Sequence, residues 1–511
     1  MNKKRMIINL FASLVSFGVS MGISFFLTPY LTEVLGTEAY GYIGLANNFV
    51  SYASIVTVAL NSMAGRFITI EIHQGNQRKA DEYFNSILLS NVFLSIVISL
   101  VSLIIILNIQ TLLKVSDRLV QDVQITFAVA FLNFVFTVVT AVFTVAPFAR
   151  NRLDVQSLRT ILGNLIKLIV TLGLIACFTP KIYYISIGVL ACSVFMAGAD
   201  IFLTKKMLPE VKVNPRHFNF QAVKEVLSAG IWNSLNSLSY VLLMGLDLLL
   251  ANLFVGETAM GMLSIAKTIP TALQSLIVAI SGIFTPQFTI LYAKKQGKEL
   301  VASVKYSIKV LSLIMTVPIA GLIIFGTDFY HLWLPGKAEA DIQTIQILSL
   351  MTLVPKLVSA YIDSLYAINT VTNHLKVPVL VNLGLGAANT ILVLILLKTT
   401  SLGVYGIAIA NAVMLFLKVV FFVPSYAASN LGQKLTVFYP AFFRAVFSSV
   451  LIMVLFVFLG KFFVIDSWLD LIWVALGCGA SGYLLNILVL LNRQERKDFF
   501  AKIKKKLRPS S

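Results

Sequence analysis

Lys267, Lys356 and Lys167 each stand inside a long apolar stretch, with no acidic residue beside them in the chain. Lysine in that setting does one kind of chemistry well: it offers a mobile point charge to an anion such as a phosphate. Six cations fall inside such stretches (Lys167, Lys267, Lys309, Lys356, Lys418 and Arg444) against three acids, Asp200, Asp247 and Asp363. On insertion scales a charge at mid-bilayer costs about 2.5–3.5 kcal/mol, so these groups should face a wet cavity or a counter-charge. Lys309 and Lys418 are predicted near cytoplasmic helix ends, where a lysine snorkels to the interface. Arg444 reads as another interface anchor.

Two spacings sharpen the picture. Asp247 and Lys267 lie ten residues either side of Glu257, so they should reach similar depth as a switchable or a static ion pair. Lys356 and Asp363 are seven apart, two turns along one helical face, with Ser359 between them; cavity lining is the better reading. Pro270 follows Lys267 by three residues and Pro355 precedes Lys356 directly. Each permits a kink beside an ionisable group. Asn47, Asn48, Asn61, Asn164, Asn233 and Asn236 place amides at membrane depth, for sugar hydroxyls or for helix–helix hydrogen bonds. The substrate-binding candidates are therefore Lys267, Lys356, Lys167, Asp247, Asp363, Asn47 and Asn48. The three cysteines are scattered and the four histidines have no ligand spacing, so no metal, disulfide framework or catalytic residue is expected.

The elements carrying these groups are transmembrane helices. Of 511 residues, 58% are hydrophobic and 12% charged, where a soluble chain would be about a quarter charged. Apolar stretches predict fourteen helices near 6–30, 41–64, 85–108, 123–148, 156–178, 182–204, 226–254, 259–290, 302–326, 341–371, 377–398, 403–426, 437–464 and 468–491. The net charge of +18 is gathered on connectors of one side. That is the positive-inside bias, not a nucleic-acid footprint, and it places both termini in the cytoplasm. The first stretch is too long for a signal-peptide core and stays as helix 1. No soluble catalytic domain fits in the remainder, so an enzyme is not expected. The tail 492–511 carries Phe499, Phe500, Ile503 and Leu507 on one stripe among Lys and Arg, and should lie on the anionic leaflet.

The helices come in two copies. LGTEAYGYIGLA at 35–46 and VGETAMGMLSIA at 255–266 match at a constant offset of 220 residues, and Gly75 to Gly297 gives 222. Copies of six helices enter the membrane from the same side and are parallel repeats. The predicted divisions are 1–204 (helices 1–6), a linker at 205–225, 226–426 (helices 7–12), 427–491 (helices 13 and 14) and the basic tail. Asn47 occupies the repeat position of Lys267.

On TPYLTEVLGTEAYG at 28–41, TPQFTILYAKKQGKEL at 285–300, IIFGTDFYHLWLPG at 323–336 and LGVYGIAIANA at 402–412, the chain resembles the Wzx-type polysaccharide flippases of the multidrug/oligosaccharidyl-lipid/polysaccharide exporter superfamily. The resemblance implies an all-α fold with two six-helix lobes forming a V-shaped cavity, two further helices, and a bacterial cytoplasmic-membrane location. It implies a substrate of isoprenoid-pyrophosphate-linked oligosaccharide moved to the outer leaflet for capsule, exopolysaccharide, O-antigen or teichoic acid. It leaves open coupling to Na+ or H+. Partners would be membrane lipids, a polymerase and glycosyltransferases; nucleic acid is not among them. A small-molecule exporter of the same superfamily is the alternative, although helix 1 lacks the acid expected of a proton-coupled drug exporter.

Overall fold

The computed structural model describes residues 3–150 and 152–497. Among them, fourteen helices are long and apolar enough to cross a membrane. Helices 1 to 7 are Lys3–Leu35, Thr37–His73, Gln77–Leu107, Asp117–Pro147, Asp154–Cys177, Tyr183–Met207 and Phe220–Val255. Helices 8 to 14 are Glu257–Ala293, Gly297–Ile324, Glu339–Val371, Lys376–Thr399, Val404–Asn430, Tyr439–Gly460 and Trp468–Leu490. The chain is a multi-pass, all-helical membrane protein, as its hydropathy predicts. The stripe at Phe499, Phe500, Ile503 and Leu507 lies outside the described residues.

Two compact units form: residues 1–265 with 379–404, and residues 266–378 with 405–511. They do not follow the boundaries of the sequence copies, since helices 7 and 11 join the first unit. The reason is close packing. A Cβ on Gly230 of helix 7 would stand 1.8 Å from the Ala59 carbonyl oxygen of helix 2, an approach open only to glycine. Helix 11 is tied to helix 7 by Asn389, whose Nδ2 donates to the Leu243 carbonyl at 3.0 Å.

Within the first unit the repeat becomes visible as contact. A Cβ on Gly41 would lie 2.8 Å from Gly261 Cα, and one on Gly44 2.6 Å from Ser264 Oγ. Both pairs are separated by the repeat offset, so matching positions of the two copies meet. Gly36 and Gly256 both hold left-handed backbone, φ 92° and 139°, at the turns into helices 2 and 8. The turn after helix 2 corrects one sequence match. Gly75 (φ 77°) corresponds to Lys295 (φ 56°), not to Gly297. The Asn76 amide bonds to the Glu71 carbonyl as the Gln296 amide does to that of Leu291, so the offset of 220 holds here too.

The linker after helix 6 is stitched along the start of helix 3. Asn85 donates to the Lys212 carbonyl at 2.8 Å and accepts from the Asn214 amide at 2.7 Å. Asp81 accepts from the Lys212 amide at 3.0 Å, and Ser86 from the Asn219 amide at 2.8 Å. These side chains satisfy loop backbone that no regular structure would satisfy. Beneath them Leu60, Ile68, Phe84, Ile87 and Val226 form a buried core.

In the second unit, helices 13 and 14 pack on helix 9 around Val317, Ile452, Phe456 and Val474. Asn486 of helix 14 donates to the Ser312 carbonyl at 3.2 Å and accepts from Ser448 at 2.9 Å. Helix 8 is interrupted at Lys267, where one helical segment ends at Ala266 and the next begins at Thr268. Proline at position 270 has no amide hydrogen for the Ala266 carbonyl, which explains the break.

Candidate functional site

Helix 10 carries the core of a charged cluster in the second unit. Pro355 interrupts its ladder one residue before Lys356, and Asp363 opens a short 3-10 turn, Asp363–Leu365, one helical face further on. Ser281 of helix 8 donates to Asp363 Oδ2 at 2.5 Å, and Gln274 also bonds to that carboxylate. Lys356 and Lys418 both lie within electrostatic reach of Asp363, and Lys267 is near enough to repel Lys356. The Lys418 Nζ stands 5.2 Å from the Tyr366 ring centroid, a cation–π arrangement. Among the described residues, neither Lys356 nor Lys418 makes a hydrogen bond or ion pair through Nζ. Two cations therefore share one carboxylate whose acceptor capacity is already divided between Ser281 and Gln274, and a third, Lys267, lies near Lys356.

Lys418 departs from expectation. Sequence placed it near a cytoplasmic helix end, where it would snorkel. The structure puts it in the middle of helix 12, Val404–Asn430, at the first residue of a π-helical turn, Lys418–Phe422. The predicted helix stopped four residues early, and π-turns leave no periodic signal. Ser281, Gln274 and Tyr366 were not singled out either, since single polar residues on apolar helices read as ordinary packing. Lys309 meets Glu495, just past helix 14, at 2.7 Å.

An apolar groove of about 460 Å³ runs between helices 10 and 12, lined by Met351, Val354, Pro355, Val413, Phe416 and Leu417. Lys356 and Lys418 are the next residues after Pro355 and Leu417, about 100° further round their helices. The same two helices thus present an apolar slot on one side and cations on another.

The remaining candidates lie in the first unit. Asp247 is buried, with 4% of its surface exposed, beside Tyr52, and accepts from the Leu248 amide at 2.9 Å. It sits between two π-helical turns of helix 7, Val241–Gly245 and Ala251–Val255. Asn48 donates to the Gly245 carbonyl at 2.9 Å, and Tyr52 to the same oxygen at 2.7 Å. The freed carbonyls of a π-turn need such donors. Asn47 is exposed. Lys167 of helix 5 lies beside Cys192 of helix 6. Two turns earlier, Arg159 pairs with Asp200, their side chains only 11% and 5% exposed. Arg159 falls inside the predicted helix 5, yet sequence did not mark it as an intramembrane cation. Asn61 and Asn91 exchange hydrogen bonds at 3.1 and 2.9 Å, and Asn164 donates to Ser20 at 2.7 Å; these amides tie helices together. Asp247 and Lys267 belong to different compact units.

Cys177, Cys192 and Cys478 are free thiols. Among the described residues no three His, Cys, Asp or Glu side chains come together as a metal-ligand set.

Comparison with known proteins adds the following. A family profile described as polysaccharide biosynthesis protein matches residues 7–291. The uncharacterized membrane protein EpsK of Bacillus subtilis (strain 168) is 30% identical over 498 residues, 98% of each chain. Among solved structures, an inward-facing MATE-family multidrug resistance transporter of the MOP superfamily superposes with a TM-score of 0.68 at 15% identity, over 83% of this chain and 98% of that one. The lipid II flippase MurJ, in an inward closed conformation, gives a TM-score of 0.67 at 15% identity, over 94% of this chain and 98% of the other. At such identities the two structures establish a shared fold.

Proposed function

This chain belongs to the polysaccharide biosynthesis protein family, and on that premise we propose that it is a flippase for an isoprenoid-pyrophosphate-linked oligosaccharide. Family membership and the transporter fold bear out the resemblance to Wzx-type proteins read from the sequence. The reading adds direction and place: from the inner to the outer leaflet of the bacterial cytoplasmic membrane, by alternating access, with both termini in the cytoplasm.

The observation that carries it is the surplus of cations around Asp363. Lys356 and Lys418 lie within membrane-spanning helices, where about 2.5–3.5 kcal/mol is lost per uncompensated charge, and Lys267 stands near Lys356. A transporter retains such groups when the passenger supplies the missing anion, as a pyrophosphate does. The apolar slot between helices 10 and 12 suits an amphiphile whose tail stays in lipid while its head meets the lysines. Lys267, Lys356 and Asp363 are the substrate-binding residues of this reading, with Lys418 added by the structure; Lys167 is a secondary candidate. A cationic drug would meet repulsion at the same place.

The test is a deletion strain. Loss of surface polysaccharide with accumulation of its lipid-linked precursor is the expected result, and restoration by the intact gene completes it. Unchanged export in the deletion strain contradicts the reading. Orientation is tested by cysteine labelling from outside, which should reach positions 38, 257 and 337 but not 79, 212 or 295.

A further inference from the structure

The short connector between helices 3 and 4 does more than join them. Asn252 of helix 7, fully buried, grips the Lys114 backbone from both sides: its Oδ1 accepts from the amide at 2.9 Å and its Nδ2 donates to the carbonyl at 2.9 Å. Tyr42 of helix 2, also fully buried, donates to the same carbonyl at 2.5 Å. Two residues on, Ser116 donates to Glu257 at 3.1 Å. Arg118 pairs with Glu38, whose other oxygen accepts from Thr258 at 3.0 Å. All of these groups lie in the first unit, where Gly41 and Gly44 of helix 2 already touch Gly261 and Ser264 of helix 8.

The connector thus binds three things at one end of the bundle: the start of helix 2, the end of helix 7 and the start of helix 8. Glu38 and Glu257 begin repeat-related helices; Ser116 of the connector reaches Glu257, and Arg118, in the first turn of helix 4, reaches Glu38. We propose that the connector is a latch holding these helix ends together, with Glu38 as its releasable catch.

The two grips differ in kind. The Asn252–Lys114 bonds are buried and directional, and they fix the connector to helix 7. The Arg118–Glu38 pair is open to water, with side chains 73% and 31% exposed, so it breaks and reforms at little cost. Under it Gly41 packs against Gly261 and the Met260 side chain, and Gly44 against Ser264 and the Leu248 side chain. Gly41 and Gly261 meet backbone to backbone with the buried Met260 side chain beside them, so parting these helices exposes apolar surface that the latch helps keep covered. A head group leaving at this end requires helices 2 and 8 to separate, and the latch sets how readily they do. That this end faces outward rests on the orientation proposed above, and the experiment separates the two.

In a variant with Cys177, Cys192 and Cys478 changed to serine, two reporters are introduced singly. Asp117→Cys lies at the exposed start of helix 4 and reads sidedness; Ser264→Cys lies against Gly44 and reads the helix 2–helix 8 contact. Intact cells are treated with a membrane-impermeant maleimide, and labelling is normalised to protein abundance. Asp117→Cys should label at the same rate whatever stands at position 38. Ser264→Cys should label slowly with the native catch and about fivefold faster with Glu38→Gln or Arg118→Gln, the ratio expected from losing one exposed ion pair. The exchanged pair Glu38→Arg with Arg118→Glu should bring the slow rate back. Labelled Asp117→Cys with an unchanged Ser264→Cys rate in both single variants overturns the latch while leaving orientation intact. An exchanged pair that labels as fast as the single variants overturns Glu38 as the catch. Unlabelled Asp117→Cys overturns the orientation, and with it an outer latch.

Discussion

Charge on the helices of the two compact units is balanced differently around two carboxylates, Asp200 and Asp363. In the first, buried Arg159 is matched by Asp200, and the more exposed Lys181 and Arg150 meet Asp122 at 3.2 Å and Glu210. In the second, Lys356 and Lys418 share the single carboxylate of Asp363, with Lys267 near Lys356. Charges that complete one another can serve structure alone. A surplus of one sign at membrane depth destabilises the resting protein, and a ligand of the opposite sign recovers that loss. The contrast sets a matched pair, Arg159–Asp200, against a carboxylate shared by two lysines, which the proposed function assigns to the passenger.

Asp200→Asn attacks the matched side and should have the largest effect on stability. It strands the Arg159 guanidinium, at a cost of about 3–5 kcal/mol, read as a lower melting temperature in detergent and reduced membrane abundance. Replacing both partners by leucine should cost much less. Normal abundance with Asp200→Asn and lost export would break the comparison, because the matched pair would then be functional. Asp363→Asn sharpens the surplus side: it removes the shared anion and leaves one acceptor oxygen for Ser281 and Gln274 where there were two, costing about 1–3 kcal/mol of stability and lowering export. Lys356→Gln should leave the melting temperature unchanged or raised, since it relieves repulsion by Lys267, while export falls. The smallest effect belongs to Lys309→Gln. Its partner Glu495 lies past helix 14 and is about a third exposed, so a loss of about 0–1 kcal/mol and normal export are expected.

Much of this was legible in the chain because hydropathy and turn glycines are strong local signals. All fourteen helices are where the apolar stretches put them, and Gly36 and Gly256 mark the repeat because only glycine takes their backbone without strain. The turn at Lys295 misled, since a non-glycine residue holds the left-handed position there and a glycine two residues on mimics the match. Among the charges, Lys356 and Asp363 were readable from helical spacing, which is local. Lys418 was not, because its place near Asp363 depends on a π-turn and on helix 12 running on to Asn430. Asn48 shows the same limit: its amide goes to the Gly245 carbonyl, an acceptor exposed only because helix 7 leaves regular geometry at that turn.

The central claim is that the lysines around Asp363 meet the anionic head of a lipid-linked glycan. Its most direct test is the double variant Lys267→Gln, Lys356→Gln in a complemented deletion strain, with surface polysaccharide, lipid-linked precursor and membrane abundance measured together. The account predicts lost surface polysaccharide, accumulated precursor and unchanged abundance, with partial export when the same positions carry arginine. Full export from the double glutamine variant at normal abundance would contradict it.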